Sequence, residues 1–278
     1  MMKANRKPIV QDLCASEELL KKLQINNKTL EDIQKSLENY LETKRSTFPR
    51  FYFLSNDELL EILSQTRNPH AVQNHLRKCF DNMNRIEFKK NEDDEETNEI
   101  IAMISAEPEI MPEKVNFSES VMAEGAVEHW LSNIQDMMIK SLYDLCKESK
   151  AAYPTNGLDR NDWFFNWPAQ IILVIDQIMW TAGCTDAITD VESGKNANAI
   201  KDFFEFSKKQ IAAMVNLVRG DRTVAERTML GALVVLDVHA RDVVDKMIKN
   251  NVRNINDFEW TKQLRYYWDK EIDDVVMR

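Results

Sequence analysis

The sequence is poor in glycine and proline, with 6 Gly and 7 Pro among 278 residues. A β-sandwich needs turn residues at intervals of about 8–12 positions, so this scarcity argues against one. Positive charge is also scarce, since 36 Lys and Arg stand against 46 Asp and Glu and leave a net charge of −10. Because binding to a phosphate backbone relies on excess positive charge, we do not expect nucleic acid as a partner.

The sequence also lacks the short motifs of nucleotide, hydrolase and metal chemistry. It contains no GxxxxGKS/T phosphate loop, no GxGxxG after a strand, no GxSxG, no HExxH and no EF-hand loop. No two of its cysteines form a CxxC pair, and we expect reduced, buried thiols of an intracellular protein at Cys14, Cys79, Cys146 and Cys184. We therefore assign no catalytic, cofactor-binding or metal-binding residue to this chain, and we expect no cofactor in it.

Long hydrophobic runs are absent as well. The first ten residues carry three basic side chains, but no apolar stretch of about 7–15 residues follows, so no secretory signal is predicted. The most apolar run, Ile171–Trp180, is interrupted by Asp176 and Gln177 and is too short for a membrane span. We expect no membrane partner. The abrupt start and end, without obvious caps, suggest a piece of a longer chain.

Helical periodicity dominates what the sequence does contain. Near the N-terminus, Leu30, Ile33, Leu37 and Leu41 recur at steps of three and four residues, which predicts a helix with Thr29 as its cap. Phe48-Pro49 should end this helix, because a residue before proline avoids the α region. The aromatic stretch Arg50–Leu54 is predicted to be extended and buried. Ser55–Glu58 has the pattern of a capping box, and Asn68-Pro69 should start another helix.

The middle of the chain changes character. Asn91–Glu99 contains six acidic residues in nine positions, and we expect a solvated loop over Asn91–Asn98. Two strand-like runs, Glu99–Ser105 and Glu109–Phe117, predict a β-hairpin or a small three-stranded sheet. Because proline cannot donate a ladder hydrogen bond, Pro108 and Pro112 should confine these strands to sheet edges.

After Gly125 the apolar pattern predicts long helices. The first begins at Val127 and carries one apolar stripe to Leu145. The later elements are a helix from Trp167-Pro168 through Trp180 with a kink at Gly183, helices over Lys195–Arg219, Thr223–Lys249 and Asp257–Trp268, and a terminal strand at Asp274–Met277. The fold class is therefore mainly α, an elongated stack of helical bundles with a small antiparallel sheet. We divide it into a short-helix part (1–88), an acidic loop with a hairpin (89–124) and a long-helix bundle (125–278).

Two sets of polar residues could be read as functional sites. The segment Asp237–Asp242 offers a base, an acid and an arginine, but on a helix His239 and Asp242 share a face from which Arg241 projects away. Because valines surround this segment, we favour a structural ion-pair network between helices over catalysis. His75 and Cys79 lie four apart without further ligands, so a packed thiol is favoured over zinc. We interpret the six tryptophans as core residues rather than a ligand cage.

Four blocks of sequence resemble the linker region of dynein heavy chains, which precedes the first AAA+ module of the motor. They occur in the family's order and span most of the chain. The blocks are FPRFYFLSNDELLEIL at Phe48–Leu63, VMAEGAVEHWL at Val121–Leu131, LDVHARDVV at Leu236–Val244, and DFEW with QLRYYW between Asp257 and Trp268. The sequences DVHARD and QLRYYW are more similar to those of axonemal than of cytoplasmic dyneins.

This resemblance implies a mechanical function. In that family the linker is an arched stack of helical bundles that crosses a ring of six AAA+ modules, and ATP hydrolysis in the ring bends and straightens it to drive movement along microtubules. The ATP and Mg²⁺ sites lie in the ring, so no catalytic role is carried over to these residues. The implied partners are the ring of the same chain, microtubules indirectly and other dynein subunits, in the cytoplasm, cytoskeleton and ciliary axoneme.

Two other classes of function remain open. A non-motor helical scaffold or adaptor, such as an α-solenoid, is disfavoured because the sequence shows no repeat of fixed length. An enzyme that uses the Asp237–Asp242 segment would lose turnover on His239→Ala while keeping its fold.

Overall fold

The computed structural model describes residues 17–64, 68–105, 114–155, 157, 160 and 162–278. The chain divides into two compact units, a first unit of Met1–Phe80 with Glu124–Ser132 and a second unit of Asp81–Ala123 with Asn133–Arg278. The described residues form eight α-helices, one antiparallel sheet of three strands and one two-stranded hairpin. This confirms the predicted class, mainly α with a small antiparallel sheet. The division at residues 88 and 124 stays a prediction.

Helices build the first unit. Their bounds are Glu17–Thr47 (α1), Pro49–Phe53 (a 3-10 helix), Asn56–Ser64 (α2), Pro69–Val72 (a 3-10 helix) and Gln73–Cys79 (α3). α1 ends where predicted, because Phe48, the residue before Pro49, has an extended backbone (φ −130°, ψ 93°). The predicted capping box is confirmed, since the Ser55 N–H donates to Glu58 Oε2 at 2.9 Å and the Glu58 N–H donates to Ser55 Oγ at 3.3 Å.

Two expectations for this unit are wrong. Thr29 does not cap α1 but lies inside it, where its hydroxyl donates to the Ile25 carbonyl at 3.0 Å. Residues 17–28 contain neither Gly nor Pro and many good helix formers, so the helix begins earlier. The stretch Arg50–Leu54 is not extended either. Pro49 starts a 3-10 helix there, and Phe51 is the one buried side chain of that helix.

An aromatic core and a buried guanidinium hold the first unit together. The ring of Phe48 lies 5.0 Å from that of Phe51 and 6.1 Å from that of Phe80, measured between centroids. Beside them Arg45 is buried and donates to the Leu54 carbonyl at 2.9 Å. Because carbonyl groups at helix ends have no partner within the helix, this arginine satisfies an acceptor that would otherwise be unpaired.

A salt bridge joins the two sequence segments of the first unit. Lys44, near the end of α1, donates to the carboxylate of Glu128, which is buried. This hydrogen bond is the main cause of a raised pKa for Lys44. The first unit is therefore discontinuous in sequence, since residues 81–123 separate its two segments.

The second unit contains the predicted small sheet. Its strands pair in the order β1-β2-β3, with bounds Met83–Lys90 (β1), Glu96–Ser105 (β2) and Lys114–Met122 (β3). Ile86 of β1 is paired with Met103 of β2, and Met103 is paired with Val115 of β3. Residues 109–113 of the predicted second strand, together with Pro108 and Pro112, lie outside the described residues.

The acidic stretch after β1 is a hairpin turn, shorter than the predicted loop. The side-chain oxygen of Asn91 accepts hydrogen bonds from the N–H groups of Asp93 at 3.0 Å and Glu95 at 2.8 Å. Asp94 adopts φ +64°, a left-handed conformation that aspartate tolerates. The turn ends at Glu95, because Glu96–Asn98 already belong to β2.

Four long helices follow the sheet. Their bounds are Val127–Ala151 (α4), Ala169–Glu192 (α5), Ala199–Val218 (α6) and Val224–Lys249 (α7), with a 3-10 helix at Trp163–Phe165. Thr223 caps α7 through a capping box with Glu226. α5 continues beyond Trp180 and past Gly183, where an added Cβ would lie 2.5 Å from the Phe203 ring. Glycine at this position therefore permits the close approach of α6, and the kink expected at Gly183 stays a prediction.

The C-terminal region departs from the prediction of a shorter fifth helix over Asp257–Trp268. Its elements are Phe258–Thr261 (α8), Tyr266–Asp269 (β4) and Asp274–Met277 (β5). β4 and β5 pair antiparallel, with Trp268 opposite Val275. Aromatic and β-branched side chains fit such cross-strand pairs well, so the helix stops before Tyr266. The predicted terminal strand is confirmed.

α5 is the core helix of the second unit. Ile172 and Ile175 of α5 are buried in one cluster with Leu230 and Leu233 of α7. By length and composition α5 could cross a membrane, contrary to our estimate from its shorter apolar run. However, half of its most apolar 18-residue stretch is buried in the protein. The core helix of a folded domain meets the same test, so this property is weak evidence for a membrane.

Candidate functional site: a buried ionic cluster

Three charged side chains meet inside the second unit and form what we call the ionic cluster, Arg160, Asp176 and Asp237. Arg160 donates through Nη1 to Asp176 Oδ1 and through Nη2 to Asp237 Oδ2, the latter at 2.9 Å. The side chains are 3%, 5% and 11% exposed in that order. One buried cation therefore bridges two carboxylates that come from different helices.

The local sequence explains why these groups meet. The run Ile171–Trp180 of α5 is apolar except for Asp176 and Gln177, so the buried carboxylate of Asp176 needs a partner from outside the helix. The planar guanidinium of Arg160, in the connection after α4, has donors that point to two acceptors at once. Asp237 comes from the middle of α7. The cluster thus ties one connection and two helices together.

The electrostatics of the cluster favour one bound proton. Burial raises the pKa of Asp176 to about 8, and the charge of Asp237 adds to this effect while Arg160 opposes it. For Arg160, burial alone would lower the pKa, but the two carboxylates outweigh it and the pKa is raised. The arginine therefore stays charged. Because two carboxylates face one cation, a proton on Asp176 leaves the buried cluster without net charge.

A cavity of about 220 Å³ adjoins the cluster. Ser207, on its wall, donates its hydroxyl to the Phe203 carbonyl at 2.9 Å, so this hydroxyl is not paired with a general base. The phenol of Tyr153 is held neutral because burial, and then the charge of Asp176, raise its pKa. In the described parts of the chain no three His, Cys, Asp or Glu side chains are grouped to hold a metal ion. The arrangement is suited to holding a proton and fixing helices, rather than to nucleophilic chemistry.

The structure separates the residues of the Asp237–Asp242 segment. Asp237 belongs to the ionic cluster, whereas His239 lines a different, mainly apolar pocket beside Leu264. Arg241 does not project away as expected, because its Nη2 donates to Asp242 Oδ1 at 2.6 Å. Base, acid and arginine are therefore not assembled at one place, and the part of the segment that joins helices is Asp237.

The side chain of His75 and the backbone and thiol of Cys79 are described by their contacts and burial. His75 Nε2 lies 3.6 Å from Glu61 Oε2, and the Cys79 carbonyl accepts a hydrogen bond from Arg50 at 3.0 Å. Burial raises the pKa of the Cys79 thiol to about 11, so the thiolate that would bind zinc is disfavoured. Cys146 and Cys184 are also buried thiols, as expected.

The tryptophans contribute mostly to packing, as predicted. Trp130, Trp163 and Trp260 are buried, and the rings of Trp180 and Trp260 lie 5.7 Å apart. Such large buried rings contribute apolar area and fixed geometry to a core.

Sequence reasoning missed two members of the ionic cluster. Arg160 lies in an irregular connection, where no periodicity marks a buried residue. Asp176 was noted, but only as an interruption of an apolar run. A charged residue within an apolar run of a helix is itself the signal, because such a charge is buried only with a partner.

Comparison with known proteins finds relatives among axonemal dynein heavy chains. It is 42% identical to dynein axonemal heavy chain 6 of Homo sapiens over 292 aligned residues, which cover 100% of this chain and 7% of that protein. It is 45% identical to dynein axonemal heavy chain 1 of Mus musculus, over 97% of this chain and 6% of that protein. The match to dynein axonemal heavy chain 12 of Homo sapiens is 45% over 91% of this chain and 8% of that protein.

The chain therefore spans less than a tenth of the length of these relatives. The family model that describes N-terminal region 2 of the dynein heavy chain matches residues 1–149, which is more than half of the chain. Taken with the identity that continues through the remaining helices, this match shows that the chain belongs to the dynein heavy chain family, within its N-terminal region.

Proposed function

We propose that this chain is the mechanical linker of an axonemal dynein heavy chain. In this role it transmits ATP-driven changes of an AAA+ ring as a power stroke on microtubules, in the cytoskeleton of the ciliary axoneme. The observation that carries the proposal is the membership in N-terminal region 2 of the dynein heavy chain, with relatives that are axonemal heavy chains. Its partners are then the ring of the same heavy chain directly and microtubules indirectly.

The internal packing of the second unit supports a role in transmitting force. Its longest helices, α5 and α7, share a core in which Ile172, Ile175 and Leu230 are buried. A close-packed interior has low compressibility and transmits strain. The ionic cluster adds directional bonds between the same two helices, since Arg160 bonds to one carboxylate from each. Force applied to one helix would therefore be passed to the other.

A non-motor scaffold is the alternative function, and an assay of movement separates the two. In an intact axonemal heavy chain, residues 17–278 are replaced by a flexible Gly/Ser segment, and microtubule gliding and ATP hydrolysis are both measured. We expect gliding to stop while ATP is still hydrolysed, because a flexible chain cannot bear a stroke. The matched control carries Lys28→Gln on the exposed face of α1 and should glide normally. Unchanged gliding of the replaced protein would contradict the linker role.

The proposal also assigns ATP binding to other parts of the heavy chain. The sequence has no glycine-rich phosphate loop, so titration of the 278-residue chain with MgATP should release no binding heat at micromolar concentrations. An intact heavy chain, titrated in parallel, should bind. Binding by the 278-residue chain alone would show that a nucleotide site was overlooked.

A further inference from the structure

The N-terminal part of α1 presents an uncovered surface. From Glu17 to Tyr40 every side chain except Leu19 is exposed, and burial in the first unit begins only at Leu41. This exposed part is about 36 Å long at 1.5 Å per residue. No described residue of the first unit covers it. An isolated helix of this length is only marginally stable in water, because most helical stability in proteins comes from packing.

Five of the seven large exposed apolar residues of α1 follow a seven-residue repeat, from which Leu20 and Ile25 depart. Leu23, Leu30 and Leu37 are seven apart, and Ile33 and Tyr40 each follow one of these leucines by three positions. These are the a and d positions of a coiled-coil heptad, and we call them the heptad stripe. The exposed fractions of Leu30 and Ile33 are 62% and 58%. A stripe with this period faces another helix when it is buried.

Over its central turns the heptad stripe has uncharged borders. The flanking e and g positions over the central turns are polar residues without charge, Asn27, Thr29, Gln34 and Ser36. In coiled coils these positions usually carry the ion pairs that select a partner. Asn26 occupies a d position, where a polar residue fixes the alignment of two helices but weakens their association. Three heptads of this kind would hold a free partner only weakly.

We propose that the heptad stripe is the docking surface for one amphipathic α-helix from the part of the same heavy chain that lies outside these 278 residues. A partner in the same chain can occupy a weakly binding stripe, because the covalent connection supplies an effective concentration on the order of millimolar. The relatives contain ample sequence for it, since this chain covers only 6–8% of their length. A helix of sixteen residues, the number that precede Glu17, is about 24 Å long, which is shorter than the stripe from Leu23 to Tyr40 at about 27 Å.

Hydrogen–deuterium exchange over residues 20–40 tests this proposal, and its result is independent of whether the linker bears a stroke. In the 278-residue chain, these amides should exchange rapidly at every protein concentration. In the intact heavy chain, without nucleotide, the same amides should exchange at least tenfold more slowly, because a packed helix opens less often.

Paired variants of the intact heavy chain identify the surface responsible. Leu30→Gln with Leu37→Gln removes two residues of the stripe, and the slow exchange should be lost. The control, Lys28→Gln with Lys35→Gln, introduces the same residues on the opposite face of α1 and should keep it. All four substitutions lie in the exposed part of the helix, so the fold of the first unit is not at risk.

Four results would overturn the proposal. If the amides of the 278-residue chain exchange more slowly as the protein concentration rises, and the mass is that of a dimer, the occupant is a second copy. Slow exchange there at all concentrations would mean that another part of this chain covers the stripe. Rapid exchange in the intact heavy chain would mean that no part of the heavy chain covers the stripe. Slow exchange that survives Leu30→Gln with Leu37→Gln would place the contact on a different face.

Discussion

α1 and α5 are both long helices rich in leucine or isoleucine, yet they use these residues in opposite ways. Over its first turns α1 keeps its apolar side chains exposed, with Ile33 58% exposed, while Ile172 of α5 is completely buried. Their charges differ as well, since the charged side chains of α1 before Leu41 are exposed, whereas Asp176 of α5 lies inside the protein. Apolar periodicity therefore predicts that a helix needs a partner, but not where the partner is.

The largest difference between the two helices should appear when a salt bridge is broken. Arg160→Leu leaves two carboxylates buried beside each other without their cation, and we expect it to lower the free energy of unfolding by about 3–5 kcal/mol. In α1, Lys22→Met removes the exposed pair with Glu18 and should change it by less than about 0.5 kcal/mol. Urea denaturation followed by tryptophan fluorescence measures both. Equal effects would mean that the ionic cluster is hydrated.

A matched pair of isoleucines isolates burial from charge. Ile172→Ala in α5 should lower the free energy of unfolding by about 2–5 kcal/mol, because it leaves a cavity in a packed core. Ile33→Ala in α1 removes the same atoms from an exposed position and should cost less than about 0.5 kcal/mol in the 278-residue chain. A large effect of Ile33→Ala in that chain would show that α1 is already covered.

The proton held by the ionic cluster predicts a pH dependence that α1 should lack. The folded-state pKa of Asp176 is raised to about 8, above the ordinary value of 3.8, so the folded state binds the proton more tightly than the unfolded state. Its contribution is fully present below 3.8 and is lost as the pH rises through about 8. As the pH rises from about 5 to about 9, the free energy of unfolding of the native protein should therefore fall relative to that of Asp176→Asn. The groups that act on this carboxyl are Tyr153, Arg160 and Asp237, and Asp186 lines the same cavity.

Parallel denaturation curves for the native protein and Asp176→Asn across that range would contradict this assignment of the proton. The matched control is Asp32→Asn on the exposed face of α1, which should leave the pH dependence of stability unchanged.

The smallest expected effect concerns helix caps, which should not differ between the two units. Ser55 and Thr223 form the same reciprocal bonds with Glu58 and Glu226. Ser55→Ala and Thr223→Ala should each cost about 1 kcal/mol, measured by amide exchange within the helix that each residue caps. If one cap cost several times more than the other, its surroundings rather than the cap would be responsible.

Local features were the ones that could be predicted from the sequence. Pro49 ends α1, and Ser55 and Thr223 begin helices, because each depends on backbone chemistry within a few residues. Features that depend on distant partners were missed. Arg160 gained its role from helices far away in sequence, and Tyr266–Asp269 became a strand because a second strand pairs with it. For the candidate site, Asp237 was correctly connected to a network between helices, but neither of its partners was identified.

The discontinuity of the first unit has a consequence for synthesis on the ribosome. Lys44 forms its salt bridge with Glu128, which is made only after the whole of residues 81–123. Chains fold from the N-terminus as they emerge, at about 5–20 residues per second. The first unit therefore lacks its final segment, Glu124–Ser132, for about several seconds while the strands of the sheet are synthesised. During that interval its unfinished surface is open to chaperones, and a nascent chain arrested before Glu128 should expose it permanently.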